Sequence, residues 1–383
     1  MSPRVVLGID LGTTNTAVVH HATASPTART TAELVPSAVA YVPSGRTLIG
    51  EEARARRIID PRNTLLSTKR LIGAPFPSAR ARAFAEHHLY EVVAGASGRA
   101  AIRTRAGDVD PIDVAALVLE TACARIGRDP REHGVVITVP AAFEERERAA
   151  TIEAGRRVGF ATVGLLSEPV ATALSYVSRS SLRYAAVYDL GGGTFDLAVV
   201  DCRRYPFDVV AHAGAPYMGG DDVDRELAQR VAERVLAEHR WDLRTDPESF
   251  GRLIGACCAA KETLADEERA FVEIAEVDPS APLGALRVPI ERSELAALTS
   301  DFVRRTFSLC DLVLDEARIT TREIDAVFLA GGSTRLPGLR DMVGAYFGKR
   351  ARFDLDPMHV VAIGASLAAM RPDLSRLLAE APR

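Results

Sequence analysis

Residues 187–200 read VYDLGGGTFDLAVV, and residues 6–17 read VLGIDLGTTNTA. Each copy is an apolar run, then Asp-Leu-Gly, then small residues and Thr. The apolar run is long enough for a central strand of an α/β sheet, and the glycines and threonines after it permit a tight turn. In such a turn the backbone approaches an anion closely, and N–H groups with Thr hydroxyls offer donors to phosphate oxygens. The Asp beside the turn, Asp10 in one copy and Asp189 in the other, would repel a phosphate unless a hard cation lay between them, a role that suits Mg²⁺. Two such turns predict two halves of similar architecture facing one nucleotide from opposite walls.

Further strand-like runs support this organisation. GVVITVP at 134–140 and AVFLAGG at 326–332 are apolar and end in turn residues, with helical patterns between them. In the helix expected near 221–239, Val223, Leu227, Val231 and Val235 recur on one face. SEPVATALSYV at 167–177 opens with Ser and Pro, as helices do. PSAPLGALRVP at 279–289 reads as a hairpin or loop of a subsidiary unit. After the run at 326–332, Gly331, Gly332, Ser333 and Arg335 are candidates to line a nucleoside. The spacing fits neither G-x-x-x-x-G-K-[ST] nor G-x-G-x-x-G.

Composition narrows the function classes. The 383 residues are 47% hydrophobic and 26% charged, with 47 Lys and Arg against 51 Asp and Glu. This balance gives no broad electrostatic reason to bind nucleic acid or an anionic membrane. The start shows no signal-peptide pattern and no run approaches a membrane span, so a cytoplasmic location is the expectation. The five cysteines contain no C-x-x-C pair and read as small buried apolar residues. Lysine occurs three times, at Lys69, Lys261 and Lys349, which draws attention to each.

With these motifs in order, the chain resembles the ATPase domain of the DnaK-type 70-kilodalton heat-shock chaperones, in the actin and sugar-kinase ATPase superfamily. The resemblance runs almost end to end, through GIDLGTTNTAVV, NTLLSTKRLIG (63–73), VVITVPAAFEERERAATIEAGRRVGF, LLSEPVATALSY, VYDLGGGTFDLAVV, MGGDDVDREL (218–227) and FLAGGSTRLPGL. It implies an α/β, actin-like fold of two lobes, 1–182 and 183–383, each with a ribonuclease-H-like sheet and a smaller subdomain, and ATP or ADP in the cleft between them.

Residue by residue, the resemblance implies that Gly12, Thr13 and Thr14 form the first phosphate loop and Gly191, Gly192, Gly193 and Thr194 the second. Asp10 and Asp189 would hold Mg²⁺ largely through water. Lys69 falls on the family's catalytic lysine and would stabilise charge on the γ-phosphate, Thr194 of the second loop would join the catalytic group, and Glu168 and Asp196 would orient the attacking water. Gly219, Gly220, Lys261, Gly331, Gly332, Ser333 and Arg335 would complete the nucleotide site.

The sequence departs from the family in three places. Cys258 and Ala265 stand where a ribose-contacting Glu and an adenine-contacting Ser are usual, which predicts weaker nucleotide binding. Gly164, Ser167 and Val170 replace polar residues that couple nucleotide state to J-domain cochaperones, although Pro140 and Arg148 match the family's relay. Residues 371–383 show no family-type linker or peptide-binding domain, so the expectation is either a domain of a longer protein or a stand-alone ATPase, with client peptide reached only through another domain or chain. The expected function is a slow ATP-hydrolysing switch that works with a nucleotide-exchange factor or J-domain-like cochaperone. The alternatives are a pseudo-ATPase interaction module, a small-molecule phosphotransferase and a filament-forming relative.

Overall fold

The computed structural model describes residues 6–21, 30–177 and 182–370. The closing stretch 371–383 lies outside the described residues. The repeated motif proves to be a repeated sheet. In the first five-stranded sheet, Val6–Leu11 pairs antiparallel with Asn15–His21, which pairs antiparallel with Thr30–Pro36. On its other side Val6–Leu11 runs parallel to Gly134–Val139, which runs parallel to Thr162–Ser167. The second sheet repeats these pairings strand for strand. Tyr184–Leu190 pairs antiparallel with Thr194–Asp201, and that with Asp208–Pro216; on its other side it runs parallel to Ala326–Ala330, which runs parallel to Ala351–Arg352.

The central strands are Val- and Ile-rich because both of their faces are covered, and Gly134–Val139 and Ala326–Ala330 are buried at every residue. On the outer side of the first sheet lie the helices Pro111–Arg125 and Glu145–Val158, packed through Ile112, Leu119, Ala150 and Ala154. Glu145–Val158 starts with two acidic residues and ends in two arginines, matching the helix dipole, and Gly159 at φ 95° closes it. The second sheet is covered by Gly220–His239 and Arg292–Ala317. Val223, Leu227, Val231 and Val235 form the inward stripe of the former.

The inner faces of both sheets share a cover. Glu168–Val177 and Val360–Ala369 pack against each other, and their apolar residues join Val136 and Leu166 of the first sheet to Ala185, Val187 and Phe328 of the second in one core. The later helix also packs on Val6–Leu11. Such close crossing requires glycine: a Cβ on Gly364 would meet the Ala171 carbonyl oxygen at 1.7 Å. Three small sheets complete the structure, including the hairpin Arg269–Glu273 and Arg287–Glu291 that flanks the Pro-rich loop.

Candidate functional site

The sheet architecture brings the two repeated turns together. Asp10 is the penultimate residue of Val6–Leu11, and Asp189 that of Tyr184–Leu190, so both carboxylates emerge at equivalent strand ends. In the second hairpin Asp189 lies directly opposite Asp196 in the ladder, which sends both side chains to one face. In the first sheet, Asp10 neighbours Thr138, whose hydroxyl donates to Asp10 Oδ1 at 3.0 Å.

These groups border a cavity of about 550 Å³. Its walls include Asp10, Gly12, Thr13, Thr14, Lys69, Glu168, Asp189, Gly191, Gly192, Thr194, Asp196, Gly331 and Gly332. The two turns touch. A Cβ on Gly192 would lie 1.9 Å from Thr14 Oγ1, so only glycine lets the loops meet here. Gly193 is buried behind this rim, its carbonyl accepting from Arg70 at 2.5 Å.

Lys69 reaches the same cavity from the short helical turn Thr68–Leu71, after Ser67 in the left-handed region at φ 58°. Its Nζ donates to Glu168 Oε1 at 2.7 Å, and each side chain is about one-tenth exposed. Burial alone would lower the Lys69 pKa, but Glu168, Asp10 and Asp189 outweigh it and raise the value. The carboxylic acids are pushed the same way. Burial, then repulsion from Glu168, lifts Asp10 to about 6 and Asp196 to about 7. Asp189, buried and facing Glu168, Asp10 and Asp196, is held well above the usual carboxylate range. The four carboxylates exceed what Lys69 neutralises.

The nucleoside candidates are arranged differently. Lys261 Nζ ion-pairs with the fully buried Asp224 at 2.8 Å and donates to Gly220 O at 3.1 Å. Ser333 donates to Gly191 O at 2.9 Å, tying the third glycine turn to the second repeated turn. Gly219 starts the helix Gly220–His239 and receives the Asp222 carboxylate on its N–H at 2.8 Å. Arg335 is half-exposed and bound to Asp356 at 2.6 Å. None of Gly219, Gly220, Lys261, Ser333 or Arg335 lines the large cavity. Cys258, the one incompletely buried cysteine, instead lines a neighbouring cavity of about 140 Å³ with Arg54, Arg57, His87 and Glu262.

The structure adds wall residues that sequence reasoning missed: Arg70, Arg80, Phe143 and Tyr217. Thr138 was open to discovery, since a strand parallel to Val6–Leu11 must place some residue beside Asp10. Arg70 and Tyr217 had no such signal, because their significance depends on contacts between distant parts of the chain. Among the described residues, no three His, Cys, Asp or Glu side chains converge closely enough to hold an ion directly. No helix among them is long and apolar enough to cross a membrane.

The family described as Hsp70 protein matches residues 6–371. Curated relatives include the protein named Chaperone protein HscA of Edwardsiella ictaluri, 37% identical over 98% of this chain and 60% of its own length. Chaperone protein HscA of Klebsiella pneumoniae matches to the same extent. Chaperone protein HscA homolog of Azotobacter vinelandii is 38% identical over 96% of this chain and 58% of its own length. The chain thus spans about 60% of the relatives it matches. A family match over nearly the whole chain agrees with the doubled sheet and its facing glycine turns, and the chain belongs to the Hsp70 family.

Proposed function

We propose that the large cavity binds ATP with Mg²⁺, hydrolyses it slowly, and makes this chain the switch of an Hsp70 chaperone cycle. The observation that carries the reading is the convergence of two glycine-threonine turns, the Lys69–Glu168 pair and three carboxylic acids with raised pKa values on one cavity. Hard oxygen donors in excess of local positive charge fit a divalent cation. Mg²⁺ keeps much of its own hydration and needs few direct protein ligands. Asp10 and Asp189 would hold it, and its charge would offset that of the phosphates.

The chain's own residues then have distinct tasks. Backbone N–H groups of the two turns, with Thr13, Thr14 and Thr194, bind phosphate oxygens. Lys69, kept protonated by its carboxylate neighbours, stabilises charge on the terminal phosphate. Glu168 is fixed by Lys69 and, with Asp196, orients water and accepts its proton. Opening and closing of the two halves around the ligand would be read by a J-domain-like cochaperone or an exchange factor. Client peptide would be handled by a domain or chain beyond these residues. The proposed setting is the cytoplasm.

A second reading, a pseudo-ATPase module, is favoured by the nucleoside side, where Lys261 is occupied by Asp224 and Arg335 by Asp356. Titration calorimetry with Mg-ATP, followed by single-turnover phosphate release, separates the two. Binding with slow release supports the switch; no binding at millimolar ATP overturns it in favour of the module.

A further inference from the structure

Arg70 follows Lys69 in sequence but turns into the seam between the two halves. It is 8% exposed. Its Nη2 donates to Gly193 O and stands 3.7 Å from the Asp221 carboxylate, while the guanidinium carbon lies 4.4 Å from the ring centre of Tyr217. That ring stacks on His87 at 3.8 Å. Tyr217 faces the larger cavity, His87 the smaller and Arg70 both, so the three side chains form a partition between them.

Arg70 Nε is buried and has no hydrogen-bond partner. A Cβ on Gly193 would lie 2.7 Å from both this nitrogen and Thr13 Cγ2, which places Nε where the two phosphate loops meet. Thr14 Oγ1, against Gly192, is likewise buried and unpartnered. Buried donors without acceptors are rare in folded proteins, and a guanidinium fork is well suited to a phosphate oxygen. The Asp221 carboxylate stands 3.7 Å from Nη2, beyond hydrogen-bond distance, and Nη2 is already engaged by Gly193 O, so Nε is the unpartnered nitrogen of the fork.

We propose that Arg70 is a phosphate-binding residue of this cleft, joining a phosphate oxygen to the Gly193 carbonyl and so to the seam. The proposal rests on the reading of the large cavity as a phosphate site. The test measures binding of Mg-ATP and of magnesium tripolyphosphate to the full chain and to Arg70→Gln, Arg70→Lys and His87→Ala, after thermal melts confirm folding. Loss of one charge-assisted hydrogen bond corresponds to about a tenfold to hundredfold weakening. Arg70→Gln should weaken both ligands by that factor, Arg70→Lys should weaken them less, and His87→Ala, which removes the stack and the ring's bond to Ala83 O but leaves Arg70 in place, should change them by under about threefold.

Equal losses in His87→Ala and Arg70→Gln would show that Arg70 only fastens the seam, and would overturn the proposal. So would unchanged binding in Arg70→Gln beside a wild-type chain that binds, leaving the nucleotide reading intact. Failure of the wild-type chain to bind either ligand would defeat that reading and this proposal together. Should Arg70→Gln not fold, Arg70→Lys against His87→Ala decides by the same comparison.

Discussion

Lys69 and Glu168 form a nearly buried ion pair on the cavity wall, and the proposed function gives it a chemical task as well. Replacing Lys69 with Ala should lower turnover by about a hundredfold or more while Mg-ATP binding survives; unchanged single-turnover phosphate release would remove Lys69 from the chemistry. The same substitution leaves buried carboxylates without their cation, so the unliganded variant should also melt earlier. His88 offers a separate reading of pH. Its ring clusters with those of Phe84 at 4.1 Å and Tyr90 at 5.3 Å, and burial depresses its pKa to about 4, with Arg70 and Arg225 adding to the effect and the Phe84 carbonyl and Asp221 opposing it. Stability from neutral His88 is present above its ordinary range near 6.5 and lost as pH falls toward 4. Asp10 and Asp196 act in the opposite sense: their contribution is full below the ordinary carboxylate range and lost as pH rises through about 6 and 7. Melting of unliganded His88→Phe should therefore show less acid loss between pH 6.5 and 4 than wild type, and parallel curves would exclude His88 as the source.

At the scale of elements, the sequence displayed the strands well and their partners less well. Asp10 and Asp189 were legible because their local pattern occurs twice, and the structure shows why: each occupies the same position on the central strand of an equivalent sheet. Lys69 stood out only as one of three lysines and Glu168 by no local sign, and the roles expected of both came from family resemblance. Arg70 was passed over beside Lys69, since its partner Gly193 lies 123 residues away. The nucleoside motif illustrates a different limit. A glycine turn after a strand was legible, but the capture of Lys261 by Asp224 depends on how two helices, Gly220–His239 and Pro247–Thr263, pack together. The Pro140–Phe143 turn adds a link to the surface: Arg148 holds Phe143 O at 3.0 Å, and both Pro140 and Phe143 line the cavity. The cavity wall and the helix Glu145–Val158 are thereby joined by one hydrogen bond.

For the whole molecule, the decisive feature is the core shared through Glu168–Val177 and Val360–Ala369. Gly364→Ala should force these helices apart and destabilise the protein by roughly 1–3 kcal/mol, the range of overpacked cores. Trp241, the single tryptophan, donates to Asp278 at 2.9 Å on the second half and gives a local fluorescence probe. If the core couples the halves, its urea midpoint should coincide with that from far-ultraviolet circular dichroism and both should shift together in Gly364→Ala. Separated midpoints in the wild-type protein would show independent unfolding. The order of synthesis adds a consequence. When the ribosome has made the first sheet, through Ser167, the helix Val360–Ala369 that covers part of its inner face is still nearly two hundred codons away. During that interval the part of the first sheet's apolar face that this helix will bury is without its cover.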